Sequence, residues 1–174
     1  MRNVIVVPYN PEWPRMYRDE ATRLEALLGD EIIAIHHIGS TSIPGMSAKP
    51  IIDILVEVHQ IDRIDECIEI LIQKGYLPKG EAGITGRRFV IRGDEENRLC
   101  HVHIFPRGHP DIARHIYFRD YLIAHPQEAN HYSSLKVILA AQYPTDFESY
   151  MDGKDGLIKE LEQKAFDWHQ NKNE

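Results

Sequence analysis

Cysteine, long apolar runs and surplus basic charge are all scarce in this sequence. Cys67 and Cys100 are the only cysteines among 174 residues, one in a helical pattern and one beside a strand pattern. Their separation matches no metal-ligating spacing, so the pair reads as two reduced, partly buried thiols. No apolar run approaches the roughly 20 residues that cross a bilayer. The opening MRNVIVVPYNPEWP lacks the apolar segment and small-residue cleavage site of a signal peptide. A cytoplasmic chain with no membrane partner is the expectation. Lys and Arg number 20 against 27 Asp and Glu, a net charge of −7. Broad electrostatic binding to nucleic acid needs a basic stripe and is not expected, although a local basic pocket remains compatible.

What is present suits one folded unit. The hydrophobic fraction of 43% is ordinary for a globular chain, and the length allows a sizeable core. With no internal repeat and no low-complexity linker, residues 1–174 read as a single domain whose helical part begins at about 110. Ten histidines are the compositional oddity.

The stretch around which the rest is organised is HHIGSTSIPGMSAKPIIDILVEV, His36 to Val58. Asp53 interrupts Ile51, Ile52, Ile54, Leu55, Val56 and Val58, a β-branched run that reads as a strand covered on both faces. A carboxylate there is costly unless a cation, a donor or an opening to solvent meets it. Alternation places Ile51, Asp53, Leu55 and Glu57 on one face, so Asp53 can point into a cleft while Ile52, Ile54, Val56 and Val58 face a core. The preceding loop holds Gly39, Ser40, Thr41, Ser42, Gly45 and Ser47, small enough to bring backbone N–H groups near an anion, and Lys49 adds positive charge. Phosphate at the loop with a divalent metal at Asp53 is one reading. An ordinary wide turn before a core strand, with a hydrogen-bonded Asp, fits the same letters.

Elsewhere the periodicities are plain. Val4 to Val7 is a short strand candidate, and a helix is expected from about Pro14 to Leu28 with Gly29 as its C-cap. Glu31 to Ile38 is the next strand, in which His36 or His37 must point towards the core or the cleft. Ile61 to Lys74 reads as an amphipathic helix, Tyr76-Leu77 as a strand start, and PKGEAGITG as a turn-rich, mobile flap. Arg87 to Arg92, with Arg88, Val90 and Arg92 on one face and Arg87, Phe89 and Ile91 on the other, pairs antiparallel with Leu99 to Phe105 across the solvated tip Asp94, Glu95 and Glu96. His101 and His103 share a face of that partner strand, a spacing that lets two imidazoles converge on one metal or one phosphate. An exposed strand face that merely tolerates them is the alternative. Helices follow over Asp111 to Ala124, from about Pro126 to Gln142, and after Thr145 or Asp146, where Gly153 and Gly156 weaken the middle enough to allow two pieces. The tail HQNKNE is expected to fray. Lys136 and Lys154 fit surface positions, or a helical half reaching over the cleft to hold phosphate. Sheet first and helices second is an α+β arrangement.

Together with VVPYNPEWP, EAGITGRRFVIRG, HVHIFPRG, FRDYLIAHPQEANHYSSLK and YMDGKDGLI, the His36–Val58 stretch resembles the GrpB family of cytoplasmic bacterial proteins over nearly the whole chain. The resemblance implies a nucleotidyltransferase-like mixed β-sheet with helices packed on it, and a sheet in which the His101/His103 strand lies beside the Asp53 strand. On that template the Gly39-Ser40 loop binds phosphate, Asp53 is catalytic and binds the metal, and Lys49, Arg87 or Arg88 offset charge. The implied activity is metal-dependent transfer of a nucleotidyl or related phosphoryl group, from a nucleotide or phosphorylated small molecule to an unknown acceptor. The sequence departs from the template at Leu55, where nucleotidyltransferases generally carry a second acid, and Glu57 lies roughly 13 Å from Asp53, beyond reach of the same ion. Asp53 with His101 and His103 would make a nitrogen-rich site suited to manganese, zinc or iron more than magnesium. A non-catalytic nucleotide- or anion-binding module with a degenerate site is the alternative, and hydrolysis of a phosphorylated metabolite is a third.

Overall fold

The structure is a computed structural model that describes residues 3–94 and 96–172. Its centre is the strand the sequence singles out. β2 (Ile52–Val58) pairs antiparallel with β1 (Ile32–Ile38) on one side and parallel with β5 (Arg98–Pro106) on the other. β5 pairs antiparallel with β4 (Arg88–Gly93), as the sequence predicts, and β4 with β3 (Tyr76–Pro78), giving the order β1-β2-β5-β4-β3. The parallel β2–β5 contact needs a long crossover, and the segment from His59 to Asn97 supplies it.

The alternation along β2 decides the two layers. Ile52, Ile54, Val56 and Val58 are buried against Trp13, Leu24 and Leu28 of α1 (Trp13–Leu28), Ile64 of α2 (Ile61–Glu66) and Leu71 of α3 (Ile68–Gln73). On the opposite face Leu55 packs with Ile38 and Phe105, and Ile84 and Ile112 close over them. Each such aliphatic side chain contributes about 1.5–3 kcal/mol by leaving water, which is why this strand tolerates so few polar positions.

The helical half comprises α4 (Pro110–Ala124), α5 (Pro126–Gln142) and α6 (Phe147–Lys172). Proline begins α4 and α5, where its missing N–H costs nothing. Ile43 and Met46, from the loop before β2, are buried among Tyr121, Leu122, Tyr132 and Leu161, so the helices grip that loop directly. Among the described residues no helix is long and apolar enough to cross a membrane.

The α+β class, the mixed sheet and the helical second part agree with the sequence. Four local expectations do not. Val4 to Val7 forms a single bridge, Val7 with Ala48, while Val4 packs on Leu139 and Tyr150 and donates to Pro144 O; the segment is committed to the helical half instead of a sheet edge. The helix expected over 61–74 breaks at Cys67, whose N–H bonds Ile64 O in a tightened turn. α6 runs unbroken through both glycines, and Gly153 has a packing role, because a β-carbon there would stand 2.6 Å from Leu139 Cδ2. Residues 169–172 of the tail are helical rather than frayed. Asp94 caps the β4–β5 turn by accepting from Glu96 and Asn97 N–H. Glu95 of that tip, Asn173 and Glu174 of the tail, and Met1 and Arg2 lie outside the described residues.

Candidate functional site

Parallel pairing sets Asp53 opposite His101 and Leu55 opposite His103, which brings residues fifty positions apart onto one face. Asp53 Oδ1 lies 3.4 Å from His101 Nδ1 and 3.3 Å from His103 Nε2. Burial alone would raise the Asp53 pKa, but the hydrogen bonds from the two imidazoles, and their charge when protonated, outweigh it and hold the carboxyl well below its usual range. The other nitrogen of His103 is taken as well: Arg87 Nη1 is 3.1 Å from Nδ1. His101 Nε2 is buried with no hydrogen-bond partner among the described residues.

The loop between β1 and β2 is built to approach that carboxylate. Gly39 sits at φ 70°, ψ −174°, a conformation open to glycine, and its Cα faces Asp53. A single turn, Ser40–Ser42, follows. Its hydroxyls are already engaged: Ser42 donates to Gly39 O, Thr41 Oγ1 lies 2.9 Å from His37 Nε2, and Ser40 Oγ accepts from Lys136 Nζ at 2.7 Å. Of the two histidines of β1, His37 is thus the one that meets the loop, with its ring stacked 4.8 Å from Tyr17. Burial lowers its pKa to about 4, so it is neutral at pH 7.

Above Asp53 opens a cleft of about 600 Å³, walled by Ser40, Thr41 and Asp53 on the sheet side and by Tyr150, Met151 and Lys154 on the helical side. Four cationic side chains line it, Lys49, Arg98, Lys136 and Lys154. Lys49 Nζ stands 4.0 Å from the Phe147 ring centre and 4.8 Å from that of Tyr150, and Lys154 Nζ 4.7 Å from Tyr150. Lys136 is 2% exposed, and its ammonium lies 4.5 Å from the Tyr132 ring centre. Burial first, and then the charge of Lys154, lower the Lys136 pKa to about 7. Burial also lowers that of Lys154, against a pull from Asp53.

Of the residues the sequence nominates, Ser40, Thr41, Lys49, Asp53, His101, Lys136 and Lys154 line this cleft, with Gly39 and His103 directly behind Asp53. Arg88 does not. It grips Asp65 through two bonds of 2.6 and 2.8 Å on the face that Arg87 leaves, as strand alternation dictates. Arg87 is 7% exposed and spends its guanidinium on Glu81 O, Ala82 O and His103, so it braces the cleft wall and is not offered to a phosphate. The flap expected to be mobile is tied by these bonds, and by His109 to Thr85 O at 2.9 Å. Ser42 is absorbed in its own turn.

Arg98 escaped the sequence reading. The β4–β5 register shifts where Gly93 faces Arg98 and Arg92 faces Cys100, and this bulge reverses alternation so that Arg98 and His101, three apart, both reach the cleft. Phe147 and Tyr150, both in the last helix, carry no sequence signal that marks them for the cleft. A Gly93 beside a polar turn was the available signal for a bulge.

A divalent ion held jointly by Asp53, His101 and His103 does not fit the arrangement. Arg87 can only donate, so His103 Nδ1 accepts and its proton sits on Nε2, facing Asp53, where a metal would need a lone pair. The neighbouring position on the strand, Leu55, is fully buried in the core. Among the described residues no group of three or more His, Cys, Asp or Glu is placed to hold a metal ion.

Residues 3–164 match the family model described as "GrpB protein". The chain is 48% identical over 172 residues to the UPF0157 protein YqkA of Bacillus subtilis, covering 99% of this chain and 50% of that protein, so it spans half the length of that relative. The solved structure of the conserved protein GrpB from Enterococcus faecalis is similar at a TM-score of 0.91 and 38% identity, covering 95% of this chain and 99% of that one. The Cid1 poly(U) polymerase is similar at a TM-score of 0.46 and 11% identity over 76% of this chain and 44% of its own, a likeness too loose to bear on activity.

Proposed function

Because this chain belongs to the GrpB family, and its cleft gathers four cations around one carboxylate, we propose that it binds a nucleotide or another phosphorylated small molecule there. Lys49, Arg98, Lys136 and Lys154 take the phosphates, and the Ser40–Thr41 turn supplies further donors. The observation that carries this reading is the environment of Lys136. An enclosed ammonium hydrogen-bonds a hydroxyl, with a second lysine nearby and no paired carboxylate among the described residues. Such a group is costly until an anion arrives, and a phosphate of two or more charges supplies it. Binding without turnover is favoured over two-metal transfer, since Leu55 occupies the second acidic position and His103 is closed to a cation.

Transfer of a nucleotidyl group is the second reading, and the observation for it is that Asp53 stays ionised and faces the same cleft. One experiment separates the two. Titration calorimetry with the four nucleoside triphosphates, with and without Mg²⁺, Mn²⁺ or Zn²⁺, is run beside a pyrophosphate-release assay. Binding without release supports the module. Metal-dependent release that Asp53→Ala abolishes supports the transferase, and no binding of any triphosphate or phosphorylated metabolite overturns both.

A further inference from the structure

Arg87 belongs to no phosphate site, yet all three nitrogens of its guanidinium are engaged. Its Nε donates to Glu81 O at 3.1 Å, Nη2 to Ala82 O at 2.8 Å, and Nη1 to His103 Nδ1 at 3.1 Å. A guanidinium has donors and no acceptor, so the imidazole must present a lone pair at Nδ1. A neutral ring with Nδ1 bare carries its proton on Nε2, the atom 3.3 Å from Asp53 Oδ1. The rest of the ring is enclosed by Phe89 at 5.1 Å and His115 at 5.5 Å between centroids, leaving little room to turn over.

The loop that Arg87 grips is a cleft wall. Ala82 lines the cleft and holds φ 47°, a left-handed conformation that costs a residue with a β-carbon on the order of 1 kcal/mol. The residue that pays this cost is also the one whose carbonyl takes the shortest of the three Arg87 bonds.

We propose that Arg87 is a positioning residue: it latches the 79–86 loop against the cleft and, by the same guanidinium, fixes His103 as the tautomer that donates to Asp53. Wall and carboxylate are then coupled, and a ligand that shifts either one is felt by the other. His103 has no free electron pair for a cation, which makes the cleft selective for anions over divalent metals at this corner. The ligand part of this inference rests on the binding reading above; the tautomer part does not.

The test is long-range ¹H–¹⁵N NMR of the imidazoles, with ATP affinity measured alongside. In the unsubstituted protein His103 is expected to show a protonated Nε2 and a bare Nδ1. Arg87→Met should give a mixture of tautomers and weaken ATP binding about tenfold, while Arg87→Lys, with a single donor group left, should keep the tautomer and recover part of the affinity. A proton on His103 Nδ1 in the unsubstituted protein overturns the proposal even if neither variant folds, and so does an unchanged tautomer in a folded Arg87→Met. The expected tautomer in a protein that fails to bind ATP or any phosphorylated ligand removes the binding reading and leaves the positioning role standing.

Discussion

Gly39 and Asp53 are in backbone-to-carboxylate contact: a β-carbon on Gly39 would stand 2.9 Å from Asp53 Oδ2 and 3.1 Å from its Cβ. The glycine is therefore required twice, by its dihedral angles and by its neighbour. Gly39→Ala is expected to destabilise the protein by roughly 2–4 kcal/mol, the combined cost of a left-handed alanine and a displaced, half-buried carboxylate. Urea denaturation measures this, and an effect under about 0.5 kcal/mol would mean the loop moves freely and does not define the cleft.

Lys136 makes ligand binding depend on pH. Its pKa of about 7 lies below the ordinary 10.5 because burial and Lys154 disfavour the charge, whereas a bound phosphate favours it. Triphosphate binding should therefore take up a proton and weaken as pH rises from 7 towards 9, by up to about tenfold per unit. Calorimetry in two buffers of different ionisation enthalpy detects the proton, and Lys136→Met should flatten the profile. A Kd independent of pH between 7 and 9 would show that no protonation of Lys136 is linked to binding.

Acid should loosen the fold through two half-buried histidines. His37 is held at about 4 and His115 at about 3, each chiefly by burial. Both folded-state values lie below the unfolded 6.5, so the stabilisation is complete above that pH and is lost as pH falls through 6.5 towards 4. From pH 7.5 to pH 5 each contributes a loss on the order of 2 kcal/mol. Denaturation of His37→Gln at the two pH values should show a smaller difference than the unsubstituted protein does.

Restoring the second acid should not create a metal site. Leu55 is fully buried against Ile38 and Phe105, and a carboxylate there has no partner. Leu55→Asp is expected to cost roughly 4 kcal/mol or more and to bring no Mg²⁺-dependent pyrophosphate release. A stable variant that gained such release would place Leu55 at the cleft.

Arg88 is the natural control for the lysines. Its partner Asp65 is half exposed, so the pair is worth at most about 1 kcal/mol after solvent screening. Arg88→Ala should leave triphosphate affinity within twofold, whereas Lys154→Ala, in the cleft wall, should lower it tenfold or more. Equal effects would break the assignment of the phosphate-binding cations.

Period-two alternation made much of this visible in the letters. It put Asp53 apart from Ile52 and Ile54, put His101 with His103, and separated Arg87 from Arg88. What alternation cannot express is an interruption of itself, and the bulge before Cys100 hid Arg98. Nor does it say which side chains will be spent on one another. Arg87 looked like a free cation, yet its donors were committed to a loop and an imidazole. Val4 to Val7 has strand composition but, among the described residues, pairs only through the one bridge from Val7 to Ala48, because pairing is decided by the chain it meets.

β5 is the final strand of the sheet to leave the ribosome, and it belongs between the two halves already made. Until Pro106 has emerged, the β1–β2 hairpin and the β3–β4 hairpin have no common ladder, and the seven residues of β2 offer bare amides and carbonyls to any stray strand. The growing chain thus passes through an interval of exposure to misassembly that closes only when its last strand slots home.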